Sequence, residues 1–452
     1  MFYRITLVMA LSAGDILMFL AGTSLTWSSS QLPKLSHPST TPFARPLTSS
    51  QASWVSSLLT LGAALGPFLF CFLADRVGRK NTLLMAGVPF TACYLMMAFA
   101  TSVETFYAAR LVMGLTVGGV CTLMPIYVGE ISDKTNRGFL GSLMACATCM
   151  GLLFSNALGP FVSVQIFNLI PAFLALVFLL LFTLFGEEVP HYYVSINEDL
   201  LAKEALHKLR GGIQDVEEEL IEIQDKFKEE ARGSFADIFA SRGLKKAFFT
   251  SVMLLLFQQF CGINVVLFYS QRIFEDSGAS WSPEICSIVL GVVQFLTSFI
   301  APIALGEFGR TTLLCFSGIG MALSEASLAA YSYLQSRPDF QMASYLSAFP
   351  MVAMVLFITV YNTGYGPLPW LMLGELFPTR VKSLATSCTC FLSWMLTFII
   401  TKHLMMVLDC VGLSGYFAIS AGFSLAAGLF GKFYCIETRG KSLPQIQKEL
   451  DM

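Results

Sequence analysis

Twelve apolar stretches of membrane-spanning length dominate this chain of 452 residues. A spanning helix needs roughly 20 apolar residues, and only helices or closed barrels satisfy their backbone polar groups in lipid. The stretches cover residues 5–27, 53–74, 82–101, 107–129, 138–160, 164–185, 246–270, 284–305, 312–334, 346–373, 383–407 and 412–435. The pattern predicts an all-α membrane protein with twelve transmembrane helices, embedded in a lipid bilayer.

Composition agrees with a membrane protein and limits its partners. Charged residues make up 13% of the chain, whereas soluble domains carry about 25%. The net charge of −2 and the lack of a basic tail give no reason to expect nucleic acid, and no obligatory protein partner is evident. Cys146-Ala-Thr-Cys149 has no second pair of ligands, which a zinc site needs, so we expect no metal and no cofactor.

The polar segments divide the chain into predicted domains. Residues 1–186 form an N-terminal six-helix bundle and residues 246–435 a C-terminal one, followed by a cytosolic tail at 436–452. Residues 187–245 repeat apolar side chains at helical spacing among charges. We interpret them as a cytosolic linker of amphipathic helices on the membrane surface or against the bundles; a merely solvated linker is the alternative. Residues 28–50, rich in Ser, Thr and Pro, are predicted to form an exposed loop.

The distribution of Lys and Arg predicts the orientation. Of the 28 Lys and Arg, twenty-two fall at the two termini and in the loops that share their side, and five fall on the opposite side. Cytosolic loops carry the excess of positive charge. Both termini and the long linker are therefore predicted to be cytosolic.

Three loops of the first half recur in order in the second half, which indicates a duplicated six-helix unit. The pairs are LADRVGRK (73–80) with LGEFGRTT (305–312), GEISDKTNRG (129–138) with GELFPTRVKS (374–383), and GEEVPHYYV (186–194) with CIETRGKSL (435–443). Their charges predict ion pairs that latch the halves together on the cytosolic side. The candidate latch residues are Asp75, Arg76, Arg79, Glu130, Arg137, Arg310, Glu375 and Lys382. Simple anchoring by positive residues is the alternative, but it gives the acidic members no role.

These motifs resemble a known family. LADRVGRK is similar to the loop 2–3 signature of the major facilitator superfamily. RLVMGLTVGG (110–119), FQQFCGINVVLFYS (257–270), GYGPLPWLMLGELFP (364–378) and IETRGKSL (436–443) resemble the sugar porter family within it. The resemblance covers essentially all twelve spans, and residues 52–67 look most like insect trehalose and glucose facilitators. It implies two pseudo-symmetric six-helix bundles that expose a central sugar site to one side at a time.

An uncharged constellation of amides and aromatic rings is what a sugar requires. Amides donate and accept at once, which suits vicinal hydroxyls, and aromatic rings suit the C–H faces. Span 7 carries three amides, and Gly262 could unwind the helix between them. Together with the resemblance, this assigns substrate binding to Gln258, Gln259, Asn264, Gln294, Asn362, Trp370 and Trp394. The alternatives are hydrogen bonds between helices for the amides and packing or interfacial positions for the Trp residues.

Two charged residues within spans bear on whether transport is passive or coupled to protons. Proton-coupled members of the resembled family pair an Asp in span 1 with the Arg of span 4. Arg110 matches that Arg, but Ser24 stands at the position of the Asp, which favours facilitated diffusion. Asp15 lies about 13 Å earlier along span 1 and stays a candidate for coupling, with Arg110, since acids within spans are commonly functional.

We therefore expect a sugar transporter and not an enzyme. We expect it to reside in the plasma membrane. No cluster of His, Asp and Ser suggests catalysis. The expected activity is facilitated diffusion of a hexose or trehalose by alternating access. A proton-coupled sugar or polyol symporter and a non-transporting sugar receptor of the same fold are the alternatives.

Overall fold

The computed structural model describes residues 2–132, 137–210, 216–230, 234–276, 281–337, 348–441 and 443–451. All regular structure in these ranges is helical. The α-helices are α1 Phe2–Ser36, α2 Ser49–Val77, α3 Arg79–Ala98, α4 Val103–Ile131, α5 Arg137–Leu158, α6 Val164–Phe185, α7 Pro190–Ser195, α8 Asp199–Leu209, α9 Glu217–Glu230, α10 Arg242–Phe260, α11 Ile263–Asp276, α12 Pro283–Glu307, α13 Arg310–Gln335, α14 Phe349–Thr363, α15 Leu368–Leu376, α16 Thr379–Phe433 and α17 Leu443–Asp451.

Eleven helical segments among the described residues are long and apolar enough to cross a membrane. The last, Leu384–Phe433, has 50 residues and would extend about 75 Å if straight, against a hydrocarbon thickness of roughly 30 Å. Gly412 kinks it, with φ 69° and ψ 174°, in a region that suits glycine. The kink falls at the first residue of the predicted span 412–435 and so separates it from the span 383–407. Eleven segments therefore carry the twelve predicted spans.

The chain forms two compact units. The first unit comprises Met1–Ser24, Leu58–Leu152 and Val162–Gly233, and the second unit comprises Leu25–Ser57, Leu153–Phe161 and Ser234–Met452. The ends of α1 and α2 that flank their connecting loop therefore belong to the second unit. The predicted domain boundaries at 186, 245 and 435 stay a prediction.

Glycines at four-residue spacing allow α2 and α4 to pack closely in the first unit. A Cβ added to Gly62, Gly66, Gly114 or Gly118 would lie 2.1–2.3 Å from a backbone oxygen of the other helix. Membrane helices commonly associate through such small residues, because lipid supplies no hydrophobic force to drive the helices together. This contact fixes the helix that carries Arg110.

The prediction of a loop over 28–50 is wrong for its first part, because α1 continues to Ser36. The side chains of Ser28, Ser29 and Ser30 are buried in the second unit instead of solvated. The Ser29 hydroxyl lies 2.8 Å from that of Ser270, and the Gln31 amide donates to the Gly159 carbonyl at 3.1 Å. Polar residues that suggested a loop here satisfy one another inside a packed region.

The linker helices α7 to α9 pack together, as amphipathic helices do when one apolar stripe is buried. Their shared buried cluster consists of Val194, Ala202, Leu206, Val216, Leu220 and Ile223. Arg210 binds Glu219 and also donates to the Ile131 carbonyl at the end of α4, at 3.2 Å. These helices thus pack on one another and contact the rest of the first unit, and the assignment of residues 187–245 to a cytosolic linker stays a prediction.

Candidate functional site

The break in span 7 predicted at Gly262 is confirmed. Helix α10 ends at Phe260 and α11 begins at Ile263. Gly262 has φ 82°, and a Cβ there would lie 2.7 Å from Oε1 of Glu325. Both the dihedral angle and the crowding require glycine. The break lets amides on its two sides turn toward each other.

Gln259 connects both sides of this break to α16. Its Nε2 donates to the Ser393 hydroxyl at 2.8 Å. Its Oε1 accepts from Nδ2 of Asn264 at 2.8 Å and from the Thr397 hydroxyl at 2.7 Å. We call Gln258, Gln259, Asn264, Ser393 and Thr397 the amide cluster.

Gln258 joins the break in span 7 to the break in span 10. Helix α14 ends at Thr363 and α15 begins at Leu368, which frees backbone carbonyls between them. Nε2 of Gln258 donates to the carbonyls of Tyr365 and Gly366, at 2.6 and 3.0 Å. Two broken spans are thus held together by one amide.

Three of the remaining predicted substrate residues lie in the same unit but outside this network. Nδ2 of Asn362 donates to the Thr297 hydroxyl at 2.7 Å, one turn along α12 from Gln294, whose side chain is half-buried. Trp370 is 40% exposed. Within the described residues no hydrogen bond connects these side chains to the amide cluster.

The amides retain acceptor atoms. Oε1 of Gln258 and Oδ1 of Asn264 have no hydrogen-bond partner in the described ranges, although the two residues are only 3% and 4% exposed. An amide oxygen in this state can accept from a ligand hydroxyl. The cluster consists only of uncharged groups, which suits a neutral ligand.

Thr397 is a cluster member that the sequence reasoning missed. Trp394, predicted to bind substrate, is half-buried and directly follows Ser393. Ser393 was likewise not predicted as a site residue. Thr397 lies four residues further, on the same helix face, and this spacing was the available signal.

Arg110 is fully buried in the first unit and reaches α1 at Ser24. Its Nη1 donates to the Ser24 carbonyl at 2.9 Å, and the Ser24 hydroxyl lies 2.9 Å from that of Tyr94. Asp15 is half-buried and forms no ion pair within the described residues. The structure thus brings Arg110 to the position of the missing acid and not to Asp15, and a role of either residue in coupling stays a prediction.

The first charge cluster, formed by Arg79, Glu130 and Glu188, joins the three repeated loops of the first unit. Nε of Arg79 lies 3.3 Å from Oε2 of Glu130, and its Nη1 lies 3.6 Å from Oδ1 of Asp75. Glu188 accepts from the backbone N–H groups of Arg79 and Lys80, at 2.9 and 3.1 Å, so it caps α3. Burial raises the pKa of Glu188 above its ordinary value, although its backbone hydrogen bonds oppose the shift.

The second charge cluster, formed by Arg310, Glu375 and Glu437, repeats this arrangement in the second unit. Nη2 of Arg310 lies 3.1 Å from Oε1 of Glu375. Glu437 accepts from the backbone N–H groups of Arg310 and Thr311, at 2.8 and 3.2 Å, and from the Thr311 hydroxyl at 3.0 Å. Burial works against its charge, but these bonds outweigh burial and lower the pKa of Glu437.

Each of these ion pairs among the predicted latch residues therefore joins two residues of the same unit. Arg76 places its guanidinium 4.8 Å from the ring centroid of Phe72. The side chain of Arg137 lies outside the described residues, and Lys382 is exposed. The sequence analysis missed Glu188 and Glu437 as cluster members, since it interpreted their loops only as a repeat. The latch between the halves stays a prediction.

Comparison with known proteins identifies relatives along nearly the whole chain. Residues 17–450 match the profile of the family described as "Sugar (and other) transporter". The chain is 33% identical over 408 residues to the facilitated trehalose transporter Tret1 of Bombyx mori, covering 89% of this chain and 80% of that protein. It is 31% identical to the Culex quinquefasciatus transporter of the same name, covering 99% and 86%.

The relatives differ in length. The chain matches the Tret1 of Aedes aegypti at 33% identity over 89% of its own residues, but it spans only 50% of that relative. The relatives are named as transporters, in agreement with the expectation from the sequence.

Solved structures show the fold. The inward-open xylose transporter XylE of E. coli superposes with a TM-score of 0.79 at 22% identity, covering 99% of this chain and all of that one. A peptide transporter in complex with sulfate superposes with a TM-score of 0.67 at 13% identity. At these identities the structural similarity shows only the fold, which is that of the major facilitator superfamily.

Proposed function

Because the chain belongs to the Sugar (and other) transporter family and is a multi-pass membrane protein, we propose that it carries a small neutral sugar by facilitated diffusion and alternating access. The cargo is a hexose or trehalose, the sugar named in its insect relatives. The membrane is the plasma membrane, and both termini lie in the cytosol.

The amide cluster carries this proposal. Buried amides in membrane spans cost free energy unless they are paired. Here Asn264 is paired with Gln259 across the Gly262 break, and Gln259 is also paired with Ser393. The amide oxygens left over accept hydroxyl hydrogens without any charge, as a sugar requires. A charged substrate would find no compensating ion in the cluster.

Facilitated diffusion is preferred over proton-coupled symport because of the contacts of Arg110. Its guanidinium meets a backbone carbonyl, and the neighbouring Ser24 side chain cannot carry a proton as an Asp does. Symport of a sugar or polyol through Asp15, and a sensing receptor without transport, are the competing functions.

Uptake of labelled sugars into proteoliposomes tests the proposal. We expect saturable uptake with counterflow that an uncoupler does not change, for at least one member of a panel of hexoses, trehalose and polyols. Asn264→Ala and Gln259→Leu should lower kcat/KM at least about tenfold, the cost of one or two lost hydrogen bonds. Binding of a sugar without uptake would favour the receptor, and loss of uptake on addition of the uncoupler would favour symport.

A matched pair of Thr variants isolates the cluster from general packing. Thr397 and Thr359 both approach the carbonyl one turn earlier, at 2.9 and 2.8 Å, but only Thr397 also contacts Gln259. Thr397→Ala should lower uptake, whereas Thr359→Ala should leave it unchanged. Equal effects of the two variants would contradict a specific role of the cluster.

A further inference from the structure

Glu325 is an acidic group beside the span 7 break that the proposed function does not use. It lies inside α13 (Arg310–Gln335), a segment apolar enough to cross a membrane, and only 1% of its surface is exposed. Acidic residues within membrane spans are rare and costly, and they commonly have a function. The sequence signal was an isolated Glu in span 9.

The surroundings of Glu325 satisfy only part of its carboxyl group. The Ser424 hydroxyl donates to Oε2 at 2.7 Å, whereas the buried Oε1 has no hydrogen-bond partner. No Lys, Arg or His forms an ion pair with it in the described part of the chain. The carboxyl group is therefore almost completely removed from solvent, and only one of its two oxygen atoms has a hydrogen-bond partner.

The titratable groups that interact with Glu325 among the described residues are neutral in their ordinary form. The titratable groups that face Glu325 are the Cys261 thiol at the break and the Tyr416 hydroxyl of α16. Helix α14 (Phe349–Thr363) contains no acidic or basic residue, and the acidic residues of α12, Glu284 and Glu307, lie at its two ends. A carboxylate at this place would be an uncompensated buried charge.

An uncompensated buried ion is far less stable than the neutral acid, because it loses hydration and gains no counter-charge. The protonated carboxyl group also donates a hydrogen bond, which the carboxylate cannot do. The neutral acid is therefore the form that fits the observed packing. Loss of the proton to water requires that water enters or that the neighbours move.

The neighbour that would move is the break itself. A Cβ on Gly262 would lie 2.7 Å from Oε1 of Glu325, so the carboxyl group packs directly against the backbone that separates α10 from α11. That backbone sets the positions of Gln259 and Asn264. We propose that Glu325 is a proton-binding site, and that its proton holds the span 7 break, and with it the amide cluster, in the observed geometry.

The consequence for transport rests on the proposed function. When the pH rises, the carboxyl group releases one proton to water, the break changes its geometry, and sugar exchange slows. Beyond the transition the protonated fraction falls about tenfold per pH unit. We therefore expect wild-type counterflow to fall at alkaline pH.

Glu325→Gln tests the inference, because it keeps the size and hydrogen bonds of the neutral acid and cannot ionise. Counterflow by this variant should stay at the acidic-pH level of the wild type throughout the alkaline range. Glu307→Gln, the same change at an exposed position, should keep the wild-type profile. Identical pH profiles of the wild type and Glu325→Gln would overturn the inference while leaving the proposed function intact.

Two further measurements keep the inference testable if transport is absent or Glu325→Gln fails to fold. The difference between the infrared spectra of the wild type and Glu325→Gln should contain the band of a buried carboxylic acid, whatever the substrate. Glu188 is unchanged in the variant and cancels in this difference, so a difference spectrum without the band would overturn the inference. Ser424→Ala removes the hydroxyl that favours the charged form, so the pH transition should move upward, and an unmoved or lowered transition would contradict the proposed site.

Discussion

The two charge clusters lie on corresponding repeated loops and form corresponding contacts. Their capping carboxyl groups nevertheless differ in burial and in the direction of their pKa shift. In the first cluster, Glu188 caps α3 and is buried, and burial raises its pKa. In the second cluster, Glu437 caps α13 and is half-exposed, and hydrogen bonds lower its pKa despite the cost of burial. Duplication explains the shared geometry, and the local surroundings decide the charge.

One position contributes to the difference, in addition to the deeper burial of Glu188. After the Arg at the start of each helix comes Lys80 in the first unit and Thr311 in the second. Thr311 donates both its backbone N–H and its hydroxyl to Glu437, whereas Lys80 donates only its backbone N–H to Glu188. A single hydroxyl therefore adds a hydrogen bond to the charged form in one cluster and not in the other.

The largest effect is expected where the clusters are alike, at Arg79 and Arg310. Each Arg pairs with an acid near the end of a later helix, Glu130 in α4 and Glu375 in α15. These side chains are largely buried, at 14% to 24% exposure. Arg79→Ala and Arg310→Ala should each lower the free energy of unfolding by about 2–3 kcal/mol, somewhat less than for a fully buried pair. Denaturation in detergent micelles measures this change.

Arg76→Ala is the control for these substitutions. Arg76 lies in the same loop but is exposed over the ring of Phe72, so its loss should cost about 0.5–1 kcal/mol. A double-mutant cycle of Arg79 with Glu130 should give a coupling free energy of the same sign as that of Arg310 with Glu375. Strictly additive effects in one unit would show that its Arg and Glu are not coupled, and the two clusters would then not be equivalent.

The next effect separates the clusters by removing charge without removing the side chain. Glu437→Gln should cost about 1–2 kcal/mol, because it replaces charge-assisted hydrogen bonds by neutral ones. Glu188→Gln should be neutral or stabilising, since burial already disfavours the charge there. Melting in detergent distinguishes the two variants, and an equal loss in both would mean that the capping carboxyl groups are equivalent.

Features that depend on local sequence were predictable. The spans follow from runs of apolar residues, and the break at Gly262 follows from a glycine between amides that could not otherwise share a face. The loop repeat predicted which segments meet, because duplicated units keep their topology. The kink at Gly412 likewise lies where the last two apolar runs separate.

Features that depend on partners distant in sequence were not predictable. The capping bond of Glu188 joins residues more than 100 positions apart, and nothing in the local sequence indicates it. The Ser-rich end of α1 looked like a loop because its hydrogen-bond partners, such as Ser270, lie far along the chain. Glu325 was visible as an acid within a span, but only the packing shows that it touches the break.

Exchanging the residue after each Arg should transfer part of the difference between the clusters. Thr311→Val removes the hydroxyl bonded to Glu437 and should cost about 1 kcal/mol. Lys80→Thr offers Glu188 a similar donor and should lower its pKa. Titration of the two Glu residues in the variants, followed by carboxylate infrared bands, measures the transfer. An unchanged titration of Glu188 in Lys80→Thr would show that burial alone sets its pKa.

The smallest effect is the dependence of stability on pH, and its sign differs between the clusters. Above the ordinary value of 4.5, the folded chain retains a proton on Glu188 that the unfolded chain releases. Stability from Glu188 is therefore lost as the pH rises through its folded pKa. For Glu437 the folded pKa is lowered, so its contribution is present above 4.5 and is lost as the pH falls.

Unfolding measured across mildly acidic pH separates these two contributions, since each Gln variant should flatten only one side of the stability profile. Glu188→Gln should reduce the fall in stability toward higher pH, and Glu437→Gln should reduce the fall toward lower pH. Each change is small because only a fraction of one proton is exchanged. If both variants flattened the same side, the opposite pKa shifts would be wrong, and the two halves would differ in sequence but not in electrostatics.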